Sequence, residues 1–136
     1  DPLLWLLRDV DEPNVKAAFD AWSPALGGMG GEELAAAARR LAPHMVYTTV
    51  ADYVKHPRLI YDATLTNYVR GHDLVRAVPF GKGFIDYRAF FRGLREGGYR
   101  GYVAYEMCEV LEGGGSIENL DRTARAFLET FREMTR

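Results

Sequence analysis

Two acidic residues, Asp20 and Glu106, stand at the ends of short segments with strand propensity, Val15–Asp20 and Tyr102–Met107. Strand alternation puts Glu106 on the same face as the small residue Ala104. A carboxylate on a buried strand is costly unless a cation, an ion-pair partner or a proton neutralises it. Sites in α/β proteins lie at the carboxyl ends of parallel strands. Both acids are therefore candidate acid/base groups or metal ligands, and a solvated strand end is the alternative for Glu106.

Helix and strand propensities, interrupted by glycine and proline, predict alternating elements along the chain. A helix is predicted at Glu32–Leu41, where acids come first and arginines last, and Asp86 and Ser116 are predicted to cap two further helices. The predicted strands are Val15–Asp20, Met45–Val50 and Tyr102–Met107. The predicted loops are Trp22–Gly31 and Ala51–Ile85, and the second loop contains one short helix at most. Asp1 and Pro2 are predicted to begin a short first helix. This order predicts an α/β fold with parallel strands and right-handed crossovers. All three strand ends then lie at one edge, with Thr49 beside the two acids.

Composition bounds the class of protein. The 136 residues, with 48% hydrophobic and 26% charged side chains, suit one globular domain or a piece of one. A net charge of -2 without a basic run argues against nucleic acid as the main partner. No apolar stretch is long enough to predict a membrane span. The single cysteine, Cys108, fits a reducing, cytoplasmic compartment and is predicted to be a small buried hydrophobe and not a nucleophile.

Four segments together resemble a known family. They are Phe19–Asp20, Thr49–Asp52, Val78–Tyr87 and Gly101–Glu106, and they are similar to the closing portion of the sugar phosphate isomerases/epimerases of the xylose-isomerase-like barrel superfamily, to which an apurinic endonuclease branch also belongs. The most specific piece is a Pro-x-Gly-x-Gly-x-x-Asp segment, Pro79–Asp86, followed across one helix by Gly-Tyr-x-x-x-Glu, Gly101–Glu106. The similarity spans nearly the whole chain.

The resemblance implies a (β/α)₈ barrel whose divalent metal is held at the strand ends by two Glu, an Asp and a His. Asp20 matches the metal Asp and Glu106 matches the last metal Glu. Ser23 and Thr49 stand where relatives carry histidines, so the oxygen ligands favour Mg²⁺ or Mn²⁺ over Zn²⁺. The histidines of this chain fall outside the matched positions and are predicted to be loop or surface residues: His44, His56 and His72.

The resemblance implies a metal-assisted isomerase or epimerase that acts on a small sugar, sugar phosphate or polyol. Asp20 and Glu106 are then the metal ligands and proton carriers, and Thr49, Lys82 and Ser116 contact the substrate. The glycines that precede Ser116 are predicted to form an anion cradle at a helix start, with a flexible turn as the alternative. The alternative function is a barrel-derived binding module that has lost its metal, and a nucleic-acid role ranks third.

A complete barrel of this type needs about 250 residues, so residues 1–136 are predicted to be a single partial barrel domain whose upstream strands are absent. Three parallel strands alone leave two open edges and an uncovered inner face. The missing strands are expected either from a longer chain, whose earlier half of the barrel precedes Asp1, or from a homo-oligomer. No nucleic-acid or membrane partner is expected.

Overall fold

A computed structural model describes residues 2–136, in which five helices accompany a parallel sheet and an antiparallel arm. The helices are α1 (Pro2–Val10), α2 (Trp22–Leu26), α3 (Gly31–Leu41), α4 (Tyr87–Glu96) and α5 (Ile117–Met134). The strands are β1 (Ala17–Ala18), β2 (Met45–Val50), β3 (Asp52–His56), β4 (Leu59–Asp62), β5 (Asn67–Arg70), β6 (Leu74–Val78) and β7 (Tyr102–Tyr105). A 3₁₀ turn, Ala42–His44, leads into β2. The helix start predicted at Asp1 lies outside the described residues.

The parallel sheet has the strand order β1-β2-β7, with β2 in the centre. Its parallel strands and flanking helices confirm the predicted α/β fold class, and β2 has the predicted bounds. The other two strands are shorter than predicted. β7 ends at Tyr105 because the chain turns immediately afterwards, where the Cys108 N–H donates to the Glu106 carbonyl at 3.0 Å.

The two faces of this sheet differ in exposure. Thr48 and Val50 of β2 are fully buried on the face that packs against the helices. On the other face, Tyr47 of β2 stands next to Tyr102 of β7, and their side chains are 41% and 79% exposed. In a closed barrel the inward-pointing side chains fill the interior. The exposed face is therefore the one expected to point into a barrel.

The helical layer is held by the close approach of α3 and α4. α4 presents Gly93 to α3, and a Cβ at this position would collide with the Ala35 backbone. The side chains of Arg92 and Glu32 form an ion pair between the two helices. Burial of apolar surface dominates this contact, because exposed ion pairs add little.

Aromatic rings join the helical layer to the sheet. Phe80, 5% exposed, lies 4.7 Å from the Tyr87 ring of α4 and 5.1 Å from the Phe127 ring of α5, measured between centroids. Phe127 in turn stacks on Tyr105 of β7 at 4.6 Å. These contacts fix α5 against the sheet. No helix within residues 2–136 is both long and apolar enough to cross a membrane.

The prediction of a loop over Ala51–Ile85 is wrong, because most of this segment forms an antiparallel arm, residues 52–78. β3 pairs with β6 along its whole length, and β4 pairs with β5 beyond them. The outer turn is closed by Asp62, whose side chain accepts from the Thr64 N–H at 2.9 Å. The arm supplies its own hydrogen-bond partners, so a segment without helical or simple strand periodicity still folds regularly.

The arm leaves and rejoins the barrel sheet at a buried carboxylate. Asp52 is 2% exposed, and one of its oxygens accepts from the N–H groups of Gly81 at 3.0 Å and Gly83 at 2.8 Å. The other oxygen accepts from Tyr53 N–H at 3.0 Å and from Ile85 N–H at 3.5 Å. Backbone donors thus satisfy a charge that would otherwise be costly to bury. This cradle ties the end of β2 to the loop that starts α4.

We predict that Gly83→Ala destabilises the protein, because its Cβ would collide with Asp52 Oδ1 and the Tyr53 carbonyl. The expected loss is about 1–3 kcal/mol of the free energy of unfolding, measured by denaturant unfolding of the intact protein. Gly115→Ala is the matched control, because a Cβ there meets nothing within 4 Å. Equal effects of the two substitutions would contradict the tight packing around Asp52.

Candidate functional site

The carboxyl ends of the three parallel strands bring the predicted site residues to one edge. Asp20 follows β1 and is half-buried, and Thr49 is half-buried next to the end of β2. Glu106 follows β7 and is exposed, and its N–H donates to the Val50 carbonyl at 2.9 Å, which extends the strand pairing by one residue. Because the sheet order is β1-β2-β7, Asp20 and Glu106 flank the end of the central strand.

Asp20 is oriented by the segment that follows it. Its carboxylate accepts from the Ser23 N–H at 2.9 Å and from the Ser23 hydroxyl at 3.4 Å. The loop predicted for Trp22–Gly31 therefore begins with a short helix, α2, which is a correction to the sequence interpretation. A carboxylate that bonds free N–H groups at a helix start stabilises that start. Ser23 thus positions Asp20.

Tyr53, which the sequence did not indicate, is influenced by the charges of both acids. Burial raises the pKa of its hydroxyl, and a hydrogen bond with the Cys108 side chain and the negative charges of Glu106 and Asp20 raise it further. The tyrosine ring packs against Trp22 with centroids 5.7 Å apart. The only sequence signal was position: Tyr53 directly follows Asp52, the last residue of the Thr49–Asp52 segment. Tyr53 is a protonated hydroxyl beside two carboxylates.

Cys108 is exposed, so its predicted burial as a small hydrophobe is wrong. The chain turns out of β7 at Glu106 and carries the thiol past the end of the sheet to Tyr53. Only a continuation of β7 by three residues, from Tyr105 to Cys108, would have kept the side chain in the alternating pattern. The thiol is a neighbour of the site and no reaction is assigned to it.

The two other predicted substrate contacts lie on neighbouring loops. Lys82 is exposed in the loop between the glycines that bind Asp52, and Ser116 caps α5 by accepting from the Asn119 N–H at 3.2 Å. Within residues 2–136, no hydrogen bond or ion pair joins either side chain to Asp20 or Glu106. The buried Asn119 side chain donates to the carbonyls of Glu112 and Gly114, so it closes the glycine loop. Substrate binding by Lys82 and Ser116 stays a prediction.

The donor set does not by itself fit a tightly bound metal ion. Within residues 2–136, no three His, Cys, Asp or Glu side chains stand close enough together to hold one. The three histidines are exposed: His44 precedes β2 at the opposite edge, and His56 and His72 lie on the arm. The two acids offer oxygen ligands suited to Mg²⁺ or Mn²⁺, but one of them already binds Ser23. The two acids therefore do not form a metal site on their own.

Comparison with known families identifies the domain. A family model described as xylose isomerase-like TIM barrel matches residues 1–134. Comparison with curated proteins finds no match. The family match accounts for the parallel sheet and the flanking helices.

The buried Tyr87 gives a prediction about pH. Its hydroxyl donates to the Ala51 carbonyl at 2.6 Å and accepts from the Ala51 N–H at 3.1 Å. Burial raises its pKa above the ordinary 10.0, although the Ala51 hydrogen bond opposes this. Above pH 10.0 the unfolded chain ionises first, so stability present at lower pH is lost as pH rises toward the folded-state pKa. Tyr87→Phe should reduce the steepness of this loss by about 1.4 kcal/mol per pH unit.

The measurement is the free energy of unfolding as a function of pH, with tyrosinate absorbance as the second readout. Tyr61→Phe is the matched control, because Tyr61 is 53% exposed on the arm. An unchanged pH dependence in Tyr87→Phe would show that Tyr87 has the same pKa in the folded protein as in the unfolded chain.

Proposed function

The chain belongs to the xylose isomerase-like TIM barrel family, and on this premise we propose that it is an isomerase or epimerase that moves a proton on a small sugar, sugar phosphate or polyol. The observation that carries the proposal is that Asp20 and Glu106 lie on either side of the end of the central strand, at the carboxyl edge of the sheet. Tyr53 packs against Trp22 at the same edge. Two carboxylates and one protonated hydroxyl are a suitable set for proton transfer next to a carbonyl.

Glu106 is the proposed base. It is exposed, and no hydrogen bond or ion pair within the described residues occupies its carboxylate. Removal of a proton from the carbon next to a carbonyl needs a carboxylate free to accept it within hydrogen-bond reach. Return of that proton to the other carbon of an enediol gives an isomer, and return to the opposite face of the same carbon gives an epimer.

Asp20 and Tyr53 are proposed to hold the substrate. The Ser23 hydrogen bonds keep the Asp20 carboxylate in one orientation, where it can accept from a sugar hydroxyl. Because its pKa is raised, Tyr53 stays protonated at neutral pH and can donate to the oxygen on which negative charge develops. Thr49 and Ala104, neighbours on β2 and β7, provide a small floor beneath the bound sugar.

A binding module without catalysis is the second candidate. It is favoured by the hydrogen bonds that Asp20 already makes with Ser23. It is also favoured because, within residues 2–136, no third side chain stands close enough to bind a metal ion together with two others. Exchange of the substrate proton with solvent separates the two. A bound sugar whose proton exchanges favours the enzyme, and a bound sugar without exchange favours the binding module.

We predict that Glu106→Gln and Asp20→Asn each lower proton transfer in the intact protein by about 10²–10⁴-fold. The measurement is exchange of the proton next to the carbonyl with solvent deuterium, followed by mass spectrometry over a panel of ketoses and ketose phosphates. Glu129→Gln is the matched control, because Glu129 is exposed on α5 and has no hydrogen bond or ion pair within residues 2–136.

Tyr53→Phe extends the test, because it removes only the donated hydrogen bond and should lower kcat more than it raises KM. Wild-type protein that binds a sugar of the panel without any exchange would overturn the enzymatic proposal in favour of the binding module. Exchange that survives in both acid variants would exclude Glu106 as the base and Asp20 as a group that orients the substrate for the reaction.

A further inference from the structure

A cavity of about 740 Å³ opens next to the candidate site. Its walls come from three elements: the end of β6, the segment Cys108–Glu112 after β7, and one face of α5. The α5 residues that line it follow the spacing of a single helix face, Asn119, Arg122, Thr123 and Ala126. The volume lies within the range of small-molecule sites, about 300–1,000 Å³.

The cavity adjoins the proposed reacting groups through Cys108. This residue lines the cavity, and its N–H donates to the Glu106 carbonyl at 3.0 Å. A ligand whose reactive end contacts Glu106 therefore has room to extend into the cavity.

Two arginines line this cavity from different elements, Arg76 on β6 and Arg122 on α5. The ion pairs within residues 2–136 include neither of them, although Glu109 and Glu112 line the same cavity. Glu109 accepts instead from the Tyr105 hydroxyl at 2.7 Å. Arg122 donates to the neutral Asn119 amide, and Arg76 has no hydrogen-bond partner among the described residues. Both arginines thus keep donors for an anion.

We infer that Arg76 and Arg122 bind the phosphate of a phosphorylated sugar whose reactive end lies at Glu106. Guanidinium groups bind phosphate through paired, charge-assisted hydrogen bonds. Val78, Pro79 and Leu111 supply apolar surface between the arginines and the glutamates of the lining, against which a sugar ring can pack. The inference rests on the proposed function and narrows its substrate class from small sugars, sugar phosphates and polyols to sugar phosphates alone.

The experiment compares binding of a ketopentose phosphate and the corresponding ketopentose to the intact protein by calorimetry, with inorganic phosphate as competitor. The wild type should prefer the phosphorylated ligand, and Arg76→Met and Arg122→Met should each reduce this preference by about tenfold or more. Arg40→Met is the matched control, because Arg40 is exposed on α3 and does not line the cavity.

Arg76→Met is the decisive variant, because the Arg122 contact with Asn119 also supports the glycine loop. An unchanged preference in Arg76→Met, or an equal loss for both ligands, overturns the inference. The two proposals fail separately. If deuterium exchange depends on Glu106 but is unchanged in the arginine variants, the proposed function holds and the phosphate site is excluded. If the preference for the phosphorylated ligand depends on the arginines but the wild type shows no deuterium exchange, the phosphate site holds and the proposed function is excluded.

Discussion

The buried carboxylate of Asp52 is the interaction on which the rest of the structure depends. An ionised group in the interior is tolerated only when hydrogen bonds replace its water shell. The backbone N–H groups of Tyr53, Gly81, Gly83 and Ile85 do this together. The same bonds set the direction in which the chain leaves β2 and the place where it enters α4. Tyr53, the donor proposed for catalysis, is thereby held at the sheet edge by its own backbone.

Much of the sheet could be predicted because its signals are local. Six residues of strand-forming type predict β2 with its observed bounds. The caps at Asp86 and Ser116 are predicted from residue type alone, and both accept the expected backbone hydrogen bond. Alternation places Glu106 on the open face of the sheet together with Tyr102. What alternation does not predict is the turn after Tyr105, and this is why the exposure of Cys108 was missed.

The arm was missed because its signals depend on pairing. Its outer turn lacks the usual Asn-Gly or Asp-Gly pair, and Thr66 adopts a φ of 50° there, which a β-branched residue rarely does. The hydrogen bonds from Thr64 to Asp62 stabilise the turn in place of glycine. The candidate site could be predicted only in part, for the same reason. Asp20 and Glu106 follow strands that the sequence indicates, whereas Tyr53 comes to this edge only because the arm begins there.

The arm begins and ends at one point, because Asp52 and Val78 are neighbours in the pairing of β3 with β6. The chain between them therefore spans no distance along the barrel, whatever its length. Lengthening or shortening a segment with adjacent ends costs little loop-closure entropy and leaves the flanking elements in place. The outer part of the arm, β4 and β5 with their turn, can therefore be exchanged or trimmed as one unit while Asp52 and Tyr53 stay in place. Changes of length there leave the edge with Asp20 and Glu106 unaltered.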